Sequence, residues 1–384
     1  MRLILIDGNE ANVEQTVGVS VYTLNLLFQF KRYASHDVRF LVYLRQKPKL
    51  HLPRENQYFR YKVVWGPFLW LRVFLPLQIK VDYAWQYARR LLRLSYVHFH
   101  SYFAPAHYSP TWLPKHCKLV VTIHDLAYEF FPDEFLKKDL HKLHHWTVES
   151  VVRASTVIAV SANTREDVIR VYNVPGEHVY TIPNGYTPIK VATPKQTTLI
   201  HGHDYKITPY KYLLYVGTLQ PRKNISTLIY AFALFHKENP DYKLIIAGKK
   251  GWLYKDIFTL AHKLKLEHAV HLVGYVTEQE KFHLYNKAFC FVMPSLYEGF
   301  GLPVLEAFSA SCPVICSDTS SLPEVGGHAA LYFDPKNANS LLEKLRTLEK
   351  DLKVRNACIE SGELQCAKFS WEYCGEATLQ VLLK

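Results

Sequence analysis

The stretch FCFVMPSLYEGFGLPVLEA, from Phe289 to Ala307, predicts a buried strand, a glycine turn and a helix in direct succession. The strand is the apolar run that ends at Met293, and such a run is typical of a parallel sheet covered on both faces. Gly299 and Gly301 allow backbone amides to approach a ligand, because glycine has no Cβ. Pro303 suits the first position of the helix, where its missing N–H costs nothing. Free amides at the positive end of a helix favour an anion, so the stretch predicts an anion site.

Two acids flank this predicted anion site, with Glu298 in the turn and Glu306 one turn into the helix. Carboxylates accept hydrogen bonds from hydroxyl groups but are poor ligands for phosphate. A ligand with both a phosphate and vicinal hydroxyls, such as a sugar nucleotide, would satisfy amides and acids together. An ordinary βα turn with a capping acid is the alternative, but two acids, two glycines and a proline agree on one geometry. Since both acids belong to one turn, we do not assign them as an acid and base pair.

Outward from this stretch, short apolar runs alternate with segments of helical periodicity along the chain. This alternation favours parallel sheets, and we predict an α/β protein. The helix 163–172 is expected to begin with a capping box made by Asn163 and Glu166. The predicted strands are 3–6, 38–44, 119–122, 157–160, 179–182, 212–216, 242–247, 269–272, 289–293 and 314–316, and the predicted helices are 19–30, 163–172, 225–236, 254–264, 278–287, 338–350 and 371–383.

The length of 384 residues suits two domains better than one core. A polar, turn-rich segment separates two series of alternating strands and helices, and we expect two Rossmann-like doubly wound domains that face each other across a cleft. The predicted domains are 1–190, which would bind the acceptor, a linker 191–210, and 211–365, which would bind the donor. Residues 366–384 are expected to form a helix that crosses back to the first domain.

A second polar motif, Gly217-Thr-Leu-Gln-Pro-Arg-Lys-Asn224, follows the predicted strand 212–216. Arg222 and Lys223 lie just before a helix, where a guanidinium fork and an ammonium point charge can both reach a diphosphate. A solvated basic pair at the end of a loop is the alternative. The position at the carboxyl end of a strand favours the ligand site, because ligands of open α/β sheets bind there.

The formal net charge of +12 is compatible with nucleic acid, anionic lipid or phosphorylated small molecules as partners. No nucleic-acid-binding signature accompanies the charge, so we expect no nucleic-acid partner. The apolar and aromatic stretch 65–77 is interrupted by Arg72 and is shorter than the ~20 residues of a spanning helix. It is either a core helix of the first domain or a contact with an anionic membrane surface.

The cellular compartment is indicated by two features of the sequence. An apolar stretch of only four residues precedes Asp7, so the N-terminus is expected to be a strand and not a signal peptide. The seven cysteines are scattered, which predicts neither disulfides nor a zinc site. We expect a cytoplasmic protein, and attachment to the inner face of the membrane is an open alternative.

Histidines at two places have spacings that could suit a metal, namely His141, His144 and His145 on a helix and His98 and His100 on a strand. No carboxylate or cysteine near them in sequence completes a ligand set, so we expect surface or partly buried histidines and no metal requirement.

Taken together, these motifs resemble the retaining glycosyltransferases of the GT-B fold, in particular the large family 4. The resemblance covers nearly the whole chain. It is carried by the motif Gly217–Asn224, by Glu298 and Glu306 with the glycines between them, by Thr122-Ile-His-Asp125 and by Ile182-Pro-Asn-Gly185.

The resemblance implies roles for individual residues. Arg222 and Lys223 would bind the donor diphosphate, Glu306 the ribose and Glu298 the donor sugar, and His124 would reach that sugar from the first domain. Family members carry two adjacent glycines where this chain has Val17-Gly18, which places the contact at Gly18 in question. The expected catalytic residues are His124, Arg222, Lys223 and Glu298, and the expected donor-binding residues are Gly18, Asp125, Gly217, Thr218, Asn224, Val276, Gly299, Phe300, Gly301, Leu302 and Glu306.

The implied activity is transfer of a hexose, with mannose favoured, from a nucleoside diphosphate sugar to a hydroxyl of a glycan or lipid-linked acceptor. The anomeric configuration would be retained, and no metal or cofactor other than the donor is expected. Bacterial polysaccharide or glycolipid assembly is the implied setting. The alternatives are an inactive nucleotide-sugar-binding scaffold of the same fold and a sugar-nucleotide epimerase.

Overall fold

The computed structural model describes residues 1–14, 17–66, 69–188, 199–200, 203–204, 207–249, 251 and 255–384. These residues form two compact units. The N-terminal unit consists of Met1–Phe130, Phe135–Gly185 and Ser370–Lys384, and the C-terminal unit consists of Phe131–Glu134 and Tyr186–Phe369.

The N-terminal unit contains a seven-stranded parallel sheet. Its strands are β1 (Arg2–Asp7), β2 (Val38–Leu44), β3 (Phe59–Val63), β4 (His98–Ala104), β5 (Lys118–Ile123), β6 (Thr156–Ala159) and β7 (Val179–Thr181). Their order across the sheet is β3-β2-β1-β4-β5-β6-β7. The chain leaves β1 towards β2 and returns to β4 on the other side, so the order reverses at β1.

The helices of this unit cover the sheet, which is why its central strands are largely buried. They are α1 (Gly18–Tyr33), α2 (Leu75–Leu91), α3 (Ala127–Phe130), α4 (Lys137–Arg153) and α5 (Ala162–Tyr172). A π-helical turn, Trp70–Phe74, leads directly into α2.

Along the chain, a short antiparallel pair, β8 (Leu199–Ile200) and β9 (His203–Asp204), comes after β7 and before the strands of the second large sheet. The remainder of the predicted linker 191–210 falls mostly outside the described residues.

The C-terminal unit contains a six-stranded parallel sheet with the order β12-β11-β10-β13-β14-β15. Its strands are β10 (Tyr212–Val216), β11 (Lys243–Ala247), β12 (Val270–Gly274), β13 (Cys290–Met293), β14 (Val314–Ser317) and β15 (Ala330–Phe333). The order reverses between β10 and β13, which pair directly. In open α/β sheets, ligands bind in the crevice beyond the carboxyl ends of the strands at such a reversal.

Seven helices flank this sheet in the described part of the unit. They are α6 (Ile225–Glu238), α7 (Lys255–Lys263), α8 (Glu278–Lys287), α9 (Leu302–Ser309), α10 (Leu322–Gly326), α11 (Ala338–Lys350) and α12 (Leu352–Cys366).

The last helix, α13 (Trp371–Leu383), belongs to the N-terminal unit, as predicted for a helix that crosses back. Trp371, Cys374 and Leu382 are buried in one core cluster with Tyr22 and Leu26 of α1. The fold class, two parallel Rossmann-like units, is confirmed.

Two local predictions were wrong. The cap of α5 is Ser161, whose Oγ accepts a hydrogen bond from the Thr164 N–H at 3.0 Å. Asn163 lies inside the helix and donates to Asp167, so it forms no capping box with Glu166. The helix starts earlier because Ser161 is itself a good cap, two residues after the end of β6. Pro303 occupies the second helical position of α9, since the helix already begins at Leu302.

The stretch 65–77 is only partly a core element. Trp70 and Leu75 are buried, whereas Trp65, Leu69 and Leu77 are exposed. Among the described residues, no helix is long and apolar enough to cross a membrane.

Candidate functional site

The crevice of the C-terminal unit is formed by the loops after β10 and β13, which are hydrogen-bonded to each other. The Leu296 N–H donates to the Arg222 carbonyl at 2.9 Å. Asn224 adopts a left-handed conformation with φ 54° at the start of α6. Its amide donates to the Pro335 carbonyl at 2.7 Å and its side-chain oxygen accepts from the Thr227 hydroxyl at 2.8 Å. The side chain of Asn224 therefore anchors the loop that carries the basic pair.

Arg222 and Lys223 converge on the carboxylate of Glu298. The Arg222 guanidinium donates to the Tyr297 carbonyl at 2.8 Å and lies 3.4 Å from Glu298 Oε2. Lys223 Nζ and the Ser295 hydroxyl both donate to Glu298 Oε1, the hydroxyl at 2.6 Å. The side chains of all three charged residues are less than 15% exposed. The two motifs that the sequence analysis singled out are thus one buried ionic cluster.

The charge state of this cluster follows from its contacts. Burial raises the pKa of Glu298, but Lys223 and Arg222 together outweigh it and hold the pKa below its usual value. Glu298 is therefore ionised at neutral pH and compensates one of the two cations. Glu298 acts as a positioning residue for both cations, and Arg222 also interacts with the carboxylate of Glu134.

The glycine turn after Glu298 is fixed by its neighbours. Gly301 has φ 110°, and a Cβ at this position would lie 3.0 Å from the Leu322 side chain, so glycine is required. The Ser321 hydroxyl contacts the carbonyls of Glu298 and Phe300 at 2.9 and 2.8 Å, and Phe300 is buried. The turn therefore delivers the chain rigidly into α9 at Leu302.

Glu306 lies in a second polar cluster, between α9 and α8. It accepts hydrogen bonds from Lys281 Nζ at 2.7 Å and from the Tyr285 hydroxyl at 3.2 Å. Burial lowers the pKa of Lys281, but Glu306 and Glu278 outweigh it and raise the pKa above its usual value. Sequence reasoning missed Lys281 and Tyr285, although their spacing of four residues places both on one face of α8.

The predicted donor contacts Gly217, Thr218 and Val276 lie on neighbouring loops of the same sheet edge. The Gly217 N–H donates to the Ala247 carbonyl at 2.9 Å, and Thr218 continues the loop after β10. A Cβ at Gly248 would lie 1.8 Å from the Gly217 carbonyl oxygen, so the loops after β10 and β11 are tightly packed. Val276 is buried just after β12.

His124 lies in the N-terminal unit, directly after β5. Its Nε2 is 2.7 Å from the Pro105 carbonyl, which makes Nε2 the protonated nitrogen and leaves a lone pair on Nδ1. Burial and the neighbouring His107 lower its pKa to about 4. The imidazole is therefore neutral at physiological pH. Asp125 accepts a hydrogen bond from the Ala127 N–H at 3.1 Å and so caps α3.

Gly18 is the first residue of α1, and a Cβ there would meet nothing within 4 Å. The geometry of the protein itself therefore does not require glycine at this position.

A cavity of about 650 Å³ lies in the N-terminal unit near the ends of β1 and β2. Its lining includes Asn9, Glu10, Asn12, Arg45, Gln46 and Trp65. Burial raises the pKa of Glu10, and burial together with the charge of Glu10 raises the pKa of Asp7 to about 6. The sequence analysis did not identify this cavity, because its residues come from three separate segments.

The candidate metal positions have ordinary partners. His144 Nδ1 is 2.8 Å from the Glu129 carboxylate, and the rings of His141 and His145 stack. Within the part of the chain that the structure describes, no group of three or more His, Cys, Asp or Glu residues could hold a metal ion.

Comparison with known proteins identifies the family to which the chain belongs. The family model described as glycosyl transferases group 1 matches residues 202–365, and the model described as glycosyltransferase family 4 matches residues 17–188. The O-antigen chain mannosyltransferase B of Escherichia coli is 33% identical over 286 residues, which cover 72% of each protein.

Two solved structures are similar to the chain over nearly its full length. Sucrose-phosphate synthase from Thermosynechococcus elongatus has a TM-score of 0.70 at 21% identity and covers 99% of this chain and 98% of its own. HepE of Anabaena, in complex with UDP and glucose, has a TM-score of 0.67 at 17% identity, and the match covers 100% of this chain and 99% of HepE. At these identities the likeness shows the fold, which is GT-B.

The two Rossmann-like units and the family matches define a glycosyltransferase of the GT-B type. The chain belongs to the group 1 glycosyltransferases, family 4.

Proposed function

We propose that this glycosyltransferase moves a hexose, with mannose favoured, from a nucleoside diphosphate sugar to a hydroxyl of a glycan or lipid-linked acceptor. The preference for mannose rests on the name of the Escherichia coli relative, an O-antigen chain mannosyltransferase. The same name supports bacterial polysaccharide assembly as the setting. A lipid-linked acceptor would bring the enzyme to the cytoplasmic face of a membrane.

The single observation that carries the proposal is the buried cluster of Arg222, Lys223 and Glu298 at the crevice. Departure of a nucleoside diphosphate builds negative charge, and catalysis depends on stabilising that charge more strongly than the ground state. A guanidinium fork and an ammonium group held in place by one carboxylate are preorganised for this task. Each charge-assisted contact is worth ~1.5 to 3 kcal/mol, which corresponds to about 10- to 100-fold in rate.

Retention of configuration is part of the proposal. Glu298 is bound to both cations, so we do not assign it as a nucleophile. In our proposal the cations instead stabilise the leaving group. In the retaining step that we propose, the acceptor oxygen forms a bond to the anomeric carbon on the face from which the diphosphate departs. The bond to the diphosphate oxygen breaks, and a phosphate oxygen takes the acceptor proton. No metal is assigned to this step.

Roles for Glu306 and His124 complete the proposal. Glu306 would accept hydrogen bonds from the ribose hydroxyls, with Lys281 orienting the carboxylate. His124 would accept a hydrogen bond from a sugar hydroxyl through Nδ1, since the ring is neutral.

The proposal is tested by transfer assays with UDP-, GDP- and ADP-linked hexoses. Arg222→Ala and Lys223→Ala should each lower kcat/KM by about 10- to 100-fold, because each removes one charge-assisted contact. Arg346→Ala is the matched control, since Arg346 pairs with Glu238 at the surface of the same unit. The anomeric configuration of the product, measured by NMR, tests retention.

The outcomes separate the alternatives. Donor binding without transfer or hydrolysis, under every acceptor tried, would identify a scaffold. Conversion of the donor into another nucleotide sugar without an acceptor would identify an epimerase. Unchanged kcat/KM in the Arg222→Ala and Lys223→Ala variants would refute the role of the cluster.

The polar cavity of the N-terminal unit is our proposed acceptor site. Carboxylate, amide and guanidinium groups together with an exposed indole suit the hydroxyl groups and apolar face of a sugar. Trp65→Ala should raise the KM for the acceptor severalfold and leave slow donor hydrolysis unchanged. An unchanged acceptor KM would place the acceptor elsewhere.

A further inference from the structure

The helix α2 carries an apolar surface on its outer side. Its inner side packs on the sheet of the N-terminal unit through Leu75 and Ile79, which are fully buried, and through Tyr83, whose ring contacts Phe99. Asp82 also faces inwards, where it binds Tyr43 and Lys62. The orientation of α2 is thus fixed by its inner side alone.

The outer side, which we call the α2 face, consists of apolar residues at helical spacing. A solvent-facing helix side is normally polar, so this arrangement requires an explanation. The large side chains of the face are between 53% and 70% exposed. The α2 face comprises Leu77, Val81, Ala84, Trp85, Leu91 and Leu92.

Basic residues border this face. The segment 77–96 contains four basic residues and one acid, and the acid is the inward-facing Asp82. The Arg89 guanidinium lies 5.8 Å from the centre of the Trp85 ring, and Arg90 lies 5.7 Å from that of Tyr96. An apolar stripe with an indole in it and cations at its margins is the composition of a helix that lies in a membrane interface.

We propose that the α2 face docks the protein onto an anionic lipid membrane. The apolar side chains would enter the boundary between headgroups and acyl chains, while Lys80, Arg89, Arg90 and Arg93 would bind lipid phosphates. Charge decides between this occupant and a second copy of the chain. Two copies of the face would bring the same cations together, whereas anionic lipids neutralise them. The net charge of +12 acts in the same direction.

The test is flotation with vesicles of phosphatidylcholine, with and without phosphatidylglycerol. The wild-type protein should float with the anionic vesicles, and added salt should weaken binding. Val81→Gln combined with Trp85→Gln should weaken binding by about tenfold or more, since two apolar side chains no longer leave water. Leu364→Gln is the matched control, because Leu364 of α12 is 72% exposed and lies in the other unit.

The unfolding temperature and the activity of the double variant serve as controls. The double variant should keep its unfolding temperature and its activity on a water-soluble acceptor, because its changed side chains are exposed and lie outside the proposed sites. Failure of the wild type to float, or equal flotation of the double variant, would overturn the proposal. A wild-type dimer that the double variant dissociates, with no flotation, would assign the face to self-association instead. None of these outcomes depends on the proposed transfer reaction.

Discussion

Glu298 shows what a single residue can and cannot reveal from sequence. Its position after a buried strand, beside two glycines, predicts that it belongs to a ligand site. Its contacts with Arg222 and Lys223 are visible only in the structure, because β10 and β13 are adjacent although 73 residues lie between the end of one and the start of the other. The structure adds a role that the sequence analysis did not predict, namely that Glu298 holds both cations in place.

Lys281 is the opposite case, a residue that only the fold identifies. An isolated helical lysine is normally solvated, and no motif marks this one. Its contact with Glu306 depends on the packing of α8 against α9. Local patterns carry no information on such a contact.

The lowered pKa of His124 predicts a pH dependence of stability. The folded state binds a proton on this ring only near pH 4, whereas the unfolded chain binds it at the usual 6.5. The contribution of the neutral His124 ring to the free energy of unfolding is therefore fully present above pH 6.5 and is lost as the pH falls towards 4. Unfolding temperatures of the wild type and His124→Asn, measured from pH 7.5 to 4, should converge as the pH falls. Parallel curves would show that His124 titrates normally.

At the scale of elements, continuous apolar strands were the most predictable features. The central strand β4 carries His98, His100 and Ser101, and only its two histidines were placed on a strand. Buried strands of a parallel sheet are continuous apolar runs, so β2 and β10 were predicted with the bounds that the structure shows. The strands β3 and β15 lie at the edges of their sheets and were not predicted. β3 is interrupted by Arg60 and Lys62, and β15 has only four residues.

The helices α2 and α12 were missed for a different reason. The outer side of α2 is apolar where a surface helix is normally polar, so the pattern resembled a short core segment. The helix α12 has apolar residues scattered around its circumference, and few of its residues are buried. In α12 the periodic signal that reveals an amphipathic helix is therefore weak.

The packing of α13 on α1 supplies an element-scale prediction. A Cβ at Gly375 would lie 2.5 Å from the Cβ of Gln29, so the two helices meet at this glycine. A Gly→Ala change inside a helix normally stabilises by roughly 0.5 to 1 kcal/mol, but here α13 must move away from α1. Gly375→Ala should therefore lower the unfolding temperature by roughly 3 °C or more.

Gly18→Ala is the control for this experiment. Gly18 is the first residue of α1, and a Cβ there would have no neighbour within 4 Å. The substitution should therefore change the unfolding temperature little. A higher unfolding temperature for Gly375→Ala would show that α13 does not pack as described.

At the scale of the whole molecule, both units gather polar groups where the strand order of their sheet reverses. Each sheet reverses its strand order once, at β1 in the N-terminal unit and between β10 and β13 in the C-terminal unit. Polar groups gather at both places: the cavity residues Asn9 and Arg45 follow β1 and β2, and the ionic cluster follows β10 and β13. Sequence predicts the alternation of strands and helices, but the strand order that creates these sites depends on tertiary contacts.

The central claim is that the cations of the C-terminal unit bind the diphosphate of the donor. Isothermal titration calorimetry with UDP, GDP and ADP measures this directly, without an acceptor and without turnover. The wild type should bind at least one of the three, and Arg222→Ala and Lys223→Ala should each weaken that binding by about 10- to 100-fold, while Arg346→Ala leaves it unchanged. Equal affinity in all four proteins would contradict the account.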